Sequence, residues 1–565
     1  QMKLKSLFKH YKIDGYIIPK NDEYFNEFVV PSTDRLKFIS KFSGSAGFSI
    51  ILKNKNYLFV DGRYTIQAKI QSGKKFKIIT IPQRFPKNVI RSKREIVIGF
   101  DPKLHSEKQL SFLLNFKNIK LKIINKNLID IIWKNRPKEK IKPFFALTRK
   151  NAGESINQKI IKVRNILLKH KIDYLFVTAP ENIAWILNIR GHDSFFSPLP
   201  NCRLLMSNKG ELSLFSKREK FKNIKKILKK KVKFYEENSI ENNLINIWNK
   251  KVWVDSITCS IFFKKLLKNN KICELEDPIY KLKSTKNLTE INNIKRCHIL
   301  DGIALTKFLF WLKKNFKNKK ITEISAQKKL EKFRALNKKY KFSSFNTISG
   351  TGSNSAIIHY KASKKSNKIL KRGDLYLVDS GGQYHYGTTD VTRTISLENN
   401  SSFIKEIYTR VLKGHIAVSR FKLKKNSTGS EIDKNARKFL KKVNLDYPHG
   451  TGHGVGYFLN VHEGPQSFSK NNKVKLKSGM IISNEPGYYK EGYFGIRIEN
   501  LIYINKNKFY ELTMVPLEKD LINKKLLNQK EIKWVNSYHN KVQGKLIKFM
   551  NLKEKGDLIK ACSPV

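Results

Sequence analysis

The sequence predicts a multidomain protein of mixed α/β and α+β class, with two α/β domains, a third domain of long helices and β-rich segments, and a helical C-terminal extension. Its 565 residues correspond to between three and four domains at roughly 150 residues per domain. Hydrophobic residues make up 40% of the chain and aromatic residues 11%, which is enough apolar material for packed cores. Apolar β-type runs alternate with amphipathic stretches in the first half and follow long helical stretches in the second. A chain that is disordered throughout is therefore excluded.

The first two domains are predicted over residues 1–145 and 146–278. The first alternates β-type runs such as "DGYIIP", "FSIIL" and "YLFVDG" with helix-length amphipathic stretches, which is typical of an α/β domain. The second begins with a helix in which Ile160, Val163 and Leu167 follow a period of 3.6 residues. The runs "RLLMS", "ELSLF" and "KVWVD" supply its strands. We expect the two domains to be similar in size and in topology.

The third domain is predicted over residues 279–515 and the C-terminal extension over residues 516–565. Near Asp277 the pattern changes to two long helical stretches, "NLTEINNIKRCHILDGIALTKFLFWLKK" and "TEISAQKKLEKFRAL". Glycine-rich turns and β-type runs follow these helices. The stretch "PLEKDLINKKLLNQKEIKWVNSYHNKVQGKLIKFM" is again helical in pattern.

The chain is strongly basic, with 113 Lys and Arg against 46 Asp and Glu and a formal net charge of +67. The excess is mostly lysine, spread along the chain beside asparagine and isoleucine as in "KNIKLKIINKN". A binding surface for nucleic acid would concentrate this charge on one face or one helix. We therefore expect no specific nucleic-acid partner.

Cysteine use and hydropathy predict a soluble protein of a reducing compartment, the cytoplasm. The five cysteines are widely spaced and form no Cys-x-x-Cys pair, so neither a disulfide framework nor a thiolate zinc site is indicated. The N-terminal stretch lacks the uninterrupted apolar region of a secretory signal. No window approaches the roughly 18 to 20 apolar residues that span a bilayer, so no membrane partner is expected.

A first pair of acidic residues flanks a predicted hairpin in "GDLYLVDSGGQYHYGTTDVTRTIS". If the turn centres between Tyr384 and His385, Asp379 and Asp390 are cross-strand partners with Cβ atoms about 4.5 to 5.5 Å apart. Two buried carboxylates at that distance repel each other. A divalent cation between them resolves the repulsion, because buried charges must be paired or coordinated.

A second acidic pair recurs in "MIISNEPGYYKEGYFGIRIENLIYI", where a hairpin centred on Gly492 brings Glu485 and Glu499 together. Taken alone, an Asp at a strand end usually caps a turn, and a His in a glycine-rich loop usually bonds the backbone. Two carboxylate pairs with the histidine-rich stretch "YPHGTGHGVGYFLNVHEGP" between them make such isolated roles a poor explanation. Four carboxylates and one imidazole favour two hard cations such as Mn²⁺, and two such cations can activate a water.

The strings "NSAIIHY", "LVDSGGQYHYGTTDVTRT", "HGTGHGVGYFLNVHEGP" and "FGIRIEN" resemble the pita-bread metallopeptidases. Within that superfamily the chain resembles the long, three-domain type of Xaa-Pro aminopeptidase, also called aminopeptidase P. "FSGSAGF" and "FVDGRY" match its first domain, "IAWILNIRG" its second, and "LLNQKEIKWVNSYHNKV" its C-terminal extension. The resemblance implies two creatinase-like α/β domains, a pita-bread catalytic domain and a helical extension.

The resemblance also implies a set of metal ligands. Asp379 would chelate one cation, Asp390 and Glu499 would bridge both, and His453 and Glu485 would hold the second. The cofactors would be two divalent cations, with Mn²⁺ favoured and Zn²⁺ or Co²⁺ as alternatives.

The catalytic residues that the resemblance implies are His359, His449, His462 and Glu485. The three histidines would contact substrate or stabilise the tetrahedral intermediate, and Glu485 would handle the proton. Arg497 lies two residues before a ligand on the same strand face, so it would contact a ligand carboxylate.

The activity implied is that of a metal-dependent aminopeptidase, a hydrolase that releases the N-terminal residue from peptides with proline in second position through a metal-bridging hydroxide. The proline nitrogen carries no hydrogen and its ring fixes φ, so a dedicated pocket is required. His359 and Phe345 are candidates for its walls. Two departures affect local geometry: Tyr386 stands where family members often have an acidic residue, and Ser355 where they often have glycine.

The expected partners are short peptides with an Xaa-Pro N-terminus and a second copy of the chain. A homodimer contact through the C-terminal helices is expected, because Trp534, Val535 and Tyr538 lie beyond the catalytic domain.

Three alternatives stay open at this point. The first is a prolidase, which uses the same ligands on Xaa-Pro dipeptides. The second is a non-catalytic peptide-binding member of the fold. The third is a polyanion binder, whose association with DNA or RNA would depend steeply on salt.

Overall fold

The computed structural model describes residues 1–565, which form two compact units, residues 1–280 and 281–565. The first unit contains two six-stranded mixed sheets and the second contains smaller antiparallel sheets with long helices. The predicted mixture of α/β and α+β structure is thereby confirmed.

The first sheet has the strand order β4-β3-β2-β1-β5-β6, in which β2 is antiparallel to both of its neighbours. The other neighbouring pairs are parallel. Its strands are β1 (Gly15–Pro19), β2 (Phe48–Leu52), β3 (Asn56–Asp61), β4 (Lys77–Ile81), β5 (Ile96–Phe100) and β6 (Ile119–Ile123). Its helices are α1 (Met2–His10), α2 (Arg35–Ser40), α3 (Thr65–Ser72), α4 (Pro86–Val89), α5 (Glu107–Leu114) and α6 (Leu128–Ile132).

The second domain contains β7 (Phe145–Ala146), β8 (Tyr174–Val177), β9 (Ile189–Arg190), β10 (Arg203–Ser207), β11 (Leu212–Ser216), β12 (Val232–Glu236), β13 (Lys251–Asp255) and β14 (Lys271–Leu275). Its helices are α7 (Arg149–Ala152), α8 (Ile156–Lys169), α9 (Pro180–Ile186), α10 (Lys225–Leu228), α11 (Ile240–Ile245) and α12 (Ile261–Leu266), with 3₁₀ turns at Arg218–Phe221 and Glu237–Ser239. The sheet order is β12-β11-β10-β8-β13-β14, with antiparallel pairs only at β10. Both sheets therefore share one topology, as the sequence predicts.

The central strand β1 shows that the first sheet is covered on both faces. Every residue of β1 is buried. Tyr16 and Ile18 enter one apolar core, whereas Ile17 enters the other, because successive side chains of a strand point to opposite faces. A central strand of this kind reads as a continuous apolar run, which is the pattern of "DGYIIP".

The second unit begins within the short helix α13 (Pro278–Ser284). Its strands are β15 (Tyr340–Ser343), β16 (Ile348–Thr351), β17 (Leu375–Ser380), β18 (Gly382–Tyr384), β19 (Gly387–Thr388), β20 (Val391–Ser396), β21 (Gly452–His453), β22 (Ser467–Phe468), β23 (Ile481–Asn484), β24 (Gly487–Lys490), β25 (Phe494–Arg497), β26 (Asn500–Asn505) and β27 (Lys508–Glu511). Its helices are α14 (Leu288–Asn315), α15 (Glu323–Ala335), α16 (Ser402–Ser419), α17 (Gly429–Lys441), α18 (Gln529–Leu546) and α19 (Leu552–Cys562). Short 3₁₀ turns span Gly352–Ala356, Lys519–Leu521, Lys524–Leu526 and Ile547–Phe549.

The long helices begin at side-chain caps that the sequence contains. At α14, Asn287 accepts a hydrogen bond from the Glu290 amide, and the Glu290 carboxylate accepts one from the Asn287 amide. Asn528 and Glu531 form the same reciprocal cap at α18. Such caps satisfy backbone donors that the first turn leaves without partners.

The C-terminal helices pack into the core of the second unit. Val535 and Tyr538 are buried in one apolar cluster with residues of α16 and β25, and Trp534 packs against that cluster. The Tyr538 hydroxyl donates to the Val515 carbonyl at 2.8 Å. Val535 and Tyr538 are therefore used inside their own unit and are not exposed for the expected subunit contact, whereas Trp534 stays partly exposed.

All five cysteines are unbonded, and four of them are buried. No helix combines the length and the apolar character that crossing a membrane would require.

Candidate metal centre

The first predicted hairpin is present, but its turn lies one residue later than expected. His385 and Tyr386 form the turn, so Asp379 pairs with Thr392 across β17 and β20. The predicted direct pairing of Asp379 with Asp390 is therefore wrong. The partner moves by two residues, and side chains two apart on a strand share a face. Asp390 consequently stays on the same face, diagonal to Asp379.

The second hairpin has the predicted register. Asn484 pairs with Asn500, and Gly487 pairs with Arg497, so both segments centre on Gly492. Gly492 has a φ of +77°, a left-handed conformation that glycine adopts without steric cost. Glu485 and Glu499 occupy the interval between the two paired segments.

His453 is held in place by a close approach of two backbones. Its amide donates to Ser483 Oγ at 2.9 Å. A Cβ atom on the preceding Gly452 would lie 1.8 Å from the Ser483 carbonyl oxygen. Only glycine at position 452 allows β21 to lie this close to β23.

The orientation of the His453 ring follows from its backbone partner. Nδ1 lies 3.0 Å from the Gly454 carbonyl oxygen, so Nδ1 carries the proton of the neutral ring and Nε2 keeps a lone pair. Nε2 lies 3.5 Å from Asp390 Oδ2 and 3.4 Å from Glu485 Oε1. A neutral imidazole fixed by a backbone carbonyl is the usual form of a histidine metal ligand.

Carboxylates converge around this ring. One ligand atom from each of Asp390, His453 and Glu499 lies within 4.8 Å of the others. Burial, followed by the charges of Asp379 and Glu485, raises the pKa of Asp390 well above its ordinary value. Burial and the neighbouring Asp390 likewise raise the pKa of Glu499. The metal-free protein thus brings together buried acids that repel one another.

Asp379 provides a further test of whether a cation fits. Its Oδ2 accepts a hydrogen bond from Arg497 Nη2 at 2.6 Å, whereas its buried Oδ1 has no hydrogen-bond partner. A buried carboxylate oxygen without a donor is costly unless a cation completes it. The donor set is rich in oxygen with one imidazole, which suits hard divalent cations. The residues present therefore fit two such ions.

Arg497 contacts the carboxylate of Asp379, a metal-ligand candidate, through Nη2. Its Nη1 also donates to the Tyr489 hydroxyl at 2.6 Å, and its Nε donates to Thr392 Oγ1 at 3.1 Å. Thr392 in turn donates to Glu499 Oε2 at 2.7 Å. One buried guanidinium and one hydroxyl therefore orient the carboxylates of Asp379 and Glu499.

His449 is fixed from two sides. Its Nδ1 lies 2.7 Å from the Gly450 carbonyl oxygen and its Nε2 lies 2.9 Å from the Tyr489 hydroxyl. Arg437 on α17 donates to the carbonyl oxygens of Tyr447, at 2.7 Å, and of His449. The loop that carries this histidine is thus attached to a helix rather than free.

His462 lies beside a metal-ligand candidate, with its ring centroid 4.5 Å from that of His453. The next residue, Glu463, is buried and forms ion pairs with Lys283 at 2.9 Å and Lys286 at 2.8 Å. These two ion pairs lower the pKa of Glu463 against the opposing effect of burial, which is the larger single influence.

His359 lies between β16 and β17. The carbonyl oxygen of the preceding Ile358 accepts a long hydrogen bond, 3.5 Å, from Nη2 of Arg497. This is the same nitrogen that contacts Asp379. All three histidines thus lie on segments that contact the carboxylate cluster or its hydrogen-bond partners.

Family models match almost the whole chain. The model for metallopeptidase family M24 matches residues 292–506, and the model for its C-terminal region matches residues 507–565. Two models of the creatinase/prolidase N-terminal domain match residues 2–130 and 135–290. A probable Xaa-Pro aminopeptidase P of Coprinopsis cinerea is 35% identical over 96% of this chain and 94% of its own length. The chain belongs to metallopeptidase family M24.

Solved structures extend the likeness of this metallopeptidase to the fold as a whole. The X-prolyl aminopeptidase of Caenorhabditis elegans, described as a cytosolic enzyme with a di-nuclear active site, superposes with a TM-score of 0.94 at 30% identity. The match covers 100% of this chain and 99% of that one. Prolidase from Pyrococcus furiosus superposes with a TM-score of 0.52 at 26% identity and covers 62% of this chain. Xaa-Pro aminopeptidase 1 of Dictyostelium discoideum is 35% identical over 96% of this chain and 92% of its own length.

The two departures from the family pattern have local structural roles in this metallopeptidase. Ser355 Oγ accepts from the Gly495 amide at 2.7 Å and donates to the Gly352 carbonyl at 2.6 Å. Ser355 therefore attaches the segment before His359 to β25. Tyr386 forms part of the turn and accepts a hydrogen bond from Cys297 at its carbonyl oxygen.

Sequence reasoning missed Thr392 and Tyr489, two residues of the metallopeptidase site. Thr392 follows Asp390 by two positions and therefore shares its strand face, so the spacing alone could have identified it. Tyr489 contacts Arg497 across the second hairpin, and the register that predicts Glu485 opposite Glu499 also places Tyr489 near Arg497. Phe345, a predicted pocket wall, is half-buried.

Proposed function

We propose that this metallopeptidase is an Xaa-Pro aminopeptidase, which releases the N-terminal residue from peptides with proline in second position. The convergence of four buried or partly buried carboxylates and one oriented imidazole carries the proposal, because this donor set fits two cations. The full-length likeness to proteins named Xaa-Pro aminopeptidase supports the substrate class.

In this proposal Asp379, Asp390, His453, Glu485 and Glu499 would hold the two cations. The oxygen-rich donor set favours Mn²⁺, with Zn²⁺ and Co²⁺ as alternatives. The chemistry that two divalent cations supply when bound is activation of water at neutral pH and polarisation of a carbonyl group.

Glu485 is the proposed proton carrier. Its Oε1 accepts a hydrogen bond from Ser483 Oγ at 3.1 Å, which orients the carboxylate, and lies 3.4 Å from His453 Nε2. It receives the proton of the attacking water and passes it to the nitrogen of the departing peptide. This delivery is needed because the leaving nitrogen must gain a proton when the peptide bond breaks.

The histidines are proposed to stabilise charge on the substrate. His359 and His462 contact the substrate carbonyl as it becomes an oxyanion. His449 has carbonyl and hydroxyl partners on its two ring nitrogens. Its proposed role is therefore indirect: it holds Tyr489 against Arg497. His359 and Phe345 form part of the wall that receives the proline ring.

The full-length match favours an aminopeptidase over a prolidase. Relatives named Xaa-Pro aminopeptidase match 96% of this chain and 92 to 94% of their own length. The deciding experiment compares an Xaa-Pro-Xaa tripeptide with an Xaa-Pro dipeptide on the Mn²⁺-loaded protein. We expect cleavage of the tripeptide; cleavage of the dipeptide alone would make the protein a prolidase. Cleavage of neither would favour the non-catalytic alternative, which the intact ligand set opposes.

We further propose a division into residues 1–145, 146–278, 279–515 and 516–565, which the ranges matched by the family models support. The cytosolic description of the Caenorhabditis elegans enzyme supports a cytoplasmic location. A homodimer remains part of the proposal, with Phe549, Leu552 and Ile559 as the exposed apolar residues of the extension. Light scattering that gives the monomer mass at micromolar concentration would refute it.

A further inference from the structure

Glu323 is a buried acid that lies outside the metal centre. It is the first residue of α15 and has no solvent exposure. A buried carboxylate is costly unless hydrogen bonds compensate its charge. The residues that supply this compensation therefore indicate what Glu323 holds in place.

Four groups donate to the Glu323 carboxylate. The Thr351 amide donates to Oε1 at 2.8 Å, and the Asn354 side-chain amide lies 3.0 and 3.1 Å from the two oxygens. The Tyr360 hydroxyl and the Lys368 amide donate to Oε2 at 2.7 and 3.0 Å. The Glu323 backbone amide also donates to the Lys368 carbonyl at 3.0 Å.

These donors lie at both ends and in the middle of one segment, residues 351–368, which carries His359. Tyr360 directly follows His359, so the carboxylate is attached one residue from the imidazole. Ordering a segment of this kind has a conformational entropy cost. The hydrogen bonds to Glu323 offset that cost, because they fix the segment at several points at once.

The opposite side of the segment is attached to β25. The Gly495 amide donates to Ser355 Oγ at 2.7 Å, and a Cβ atom on Gly495 would lie 1.9 Å from the Ser355 carbonyl oxygen. His359 thus lies between an attachment to β25 and an attachment to Glu323. Loss of the second attachment would let the segment around His359 shift relative to the carboxylate cluster.

From this arrangement we infer that Glu323 is a positioning residue for the reaction, acting through Tyr360 to hold His359 in place. The inference rests on the proposed function, because it assigns His359 a role in the transition state. Misplacing such a group by about 1 Å can lower the rate by roughly a hundredfold.

The principal test is Glu323→Gln, in which one carboxylate oxygen becomes a donor facing other donors. Glu331→Gln is the matched control, because Glu331 lies on the same helix and accepts from the Tyr340 hydroxyl and Ser343 Oγ, outside the 351–368 segment. With the Mn²⁺-loaded protein and an Xaa-Pro-Xaa peptide, we expect Glu323→Gln to lower kcat roughly ten- to a hundredfold with little change in KM. The control stays within about twofold, the range of a surface substitution.

A double-mutant cycle tests whether the effect passes through His359. In a His359→Ala background, Glu323→Gln should cost no more than about a further twofold in kcat, because coupled residues are not additive. An equal loss in both backgrounds, or wild-type kcat in Glu323→Gln, would overturn the inference. Absence of tripeptide cleavage by the wild-type protein would instead refute the proposed function.

Hydrogen exchange supplies a readout independent of turnover. Amides of residues 352–368 should exchange faster in Glu323→Gln than in the wild type and the control, because local opening becomes easier. If Glu323→Gln does not fold, Tyr360→Phe removes only the hydroxyl beside His359 and should show the same selective loss of kcat and faster exchange. Unchanged exchange and kcat in Tyr360→Phe would contradict the role of Glu323.

Discussion

The second unit buries acidic side chains in two places, and the surroundings of the buried charge differ between them. One place holds Glu323 alone and the other holds Glu499 with its acidic neighbours. Glu323 has 0% exposure and Glu499 has 1%. Glu323 receives hydrogen bonds from four neutral donors. Glu499 accepts one from Thr392 at 2.7 Å and faces the like charges of Asp390, Glu485 and Asp379.

The difference separates an acid that completes the fold from acids that need a partner from outside the chain. Donors around Glu323 stabilise its charge within the protein, so the folded segment and the buried charge support each other. Around Glu499 burial and like charges raise the pKa, and the fold keeps this unfavourable arrangement. A cluster of this kind is the usual mark of a functional site.

The largest expected effect is on catalysis when a member of the repelling group is neutralised. Asp390→Asn should lower kcat/KM by roughly a thousandfold, because a lost cation ligand removes several kcal/mol of transition-state stabilisation. Steady-state kinetics with metal analysis checks this. The control Glu331→Gln should keep both activity and bound metal. Near wild-type turnover by Asp390→Asn would contradict the role of the acidic cluster in cation binding.

Removal of metal should lower the free energy of unfolding. A ligand present at a hundred to a thousand times its Kd stabilises the native state by about 2.7 to 4.1 kcal/mol. Chelation should therefore lower the thermal midpoint of the wild-type protein, measured by calorimetry. Asp390→Asn should respond less to chelation; an identical response in both proteins would mean that the metal binds elsewhere.

The contribution of Glu323 to stability should not depend on metal. Glu323→Gln should destabilise the protein by about 1 to 3 kcal/mol, because it leaves buried donors without acceptors. The loss should be the same with and without metal, since Glu323 lies outside the metal centre. Denaturant titration in Mn²⁺ and in chelator measures both values. A loss of stability that appears only with metal present would mean that Glu323 contributes to cation binding, which would contradict its placement outside the metal centre.

A buried group that stays neutral, His539, predicts that stability depends on pH. Burial, with Lys519 and Arg393 nearby, lowers the pKa of His539 to about 4 from an ordinary value of 6.5. Its Nε2 accepts a hydrogen bond from the Leu517 amide at 3.1 Å, which protonation of that nitrogen would break.

The sign follows from the bound protons. Between pH 6.5 and about 4 the unfolded chain binds a proton at His539 that the native state does not, so stability falls as pH falls through that window. The contribution is up to about 1.4 kcal/mol per pH unit. His539→Gln, which keeps an acceptor, should reduce the pH dependence in urea titrations at pH 5 and pH 7. An unchanged slope would exclude His539 as its source.

The sequence alone predicts the second hairpin and misplaces the first, for a physical reason. Gly492 marks the turn of the second hairpin because its φ of +77° favours glycine. The first turn, His385 and Tyr386, contains neither glycine nor asparagine, so nothing local locates it. Its register follows from pairing along β17 and β20, which is a tertiary property.

Roles that depend on distant partners could not be predicted. In the sequence Glu323 is an ordinary acidic residue of a first helical turn, and its donors lie 28 to 45 residues away. Trp534, Val535 and Tyr538 form an apolar pattern that suits a subunit contact and an internal one equally. The two carboxylate pairs could be predicted because residue type and spacing carry the chemistry that they would perform, whereas the choice of His453 among the nearby histidines is implied by the resemblance to the family.

The comparison of Glu323 with Glu499 is tested most directly by the thermal stability of Glu499→Gln with and without metal. In chelator the variant should be more stable than the wild type by on the order of 1 to 4 kcal/mol, the energy of a like-charge contact near 4 Å. In Mn²⁺ the order should reverse, because the wild type binds the cations more tightly. A variant that is less stable than the wild type in both conditions would contradict the account, since the acids would then stabilise the fold without any cation.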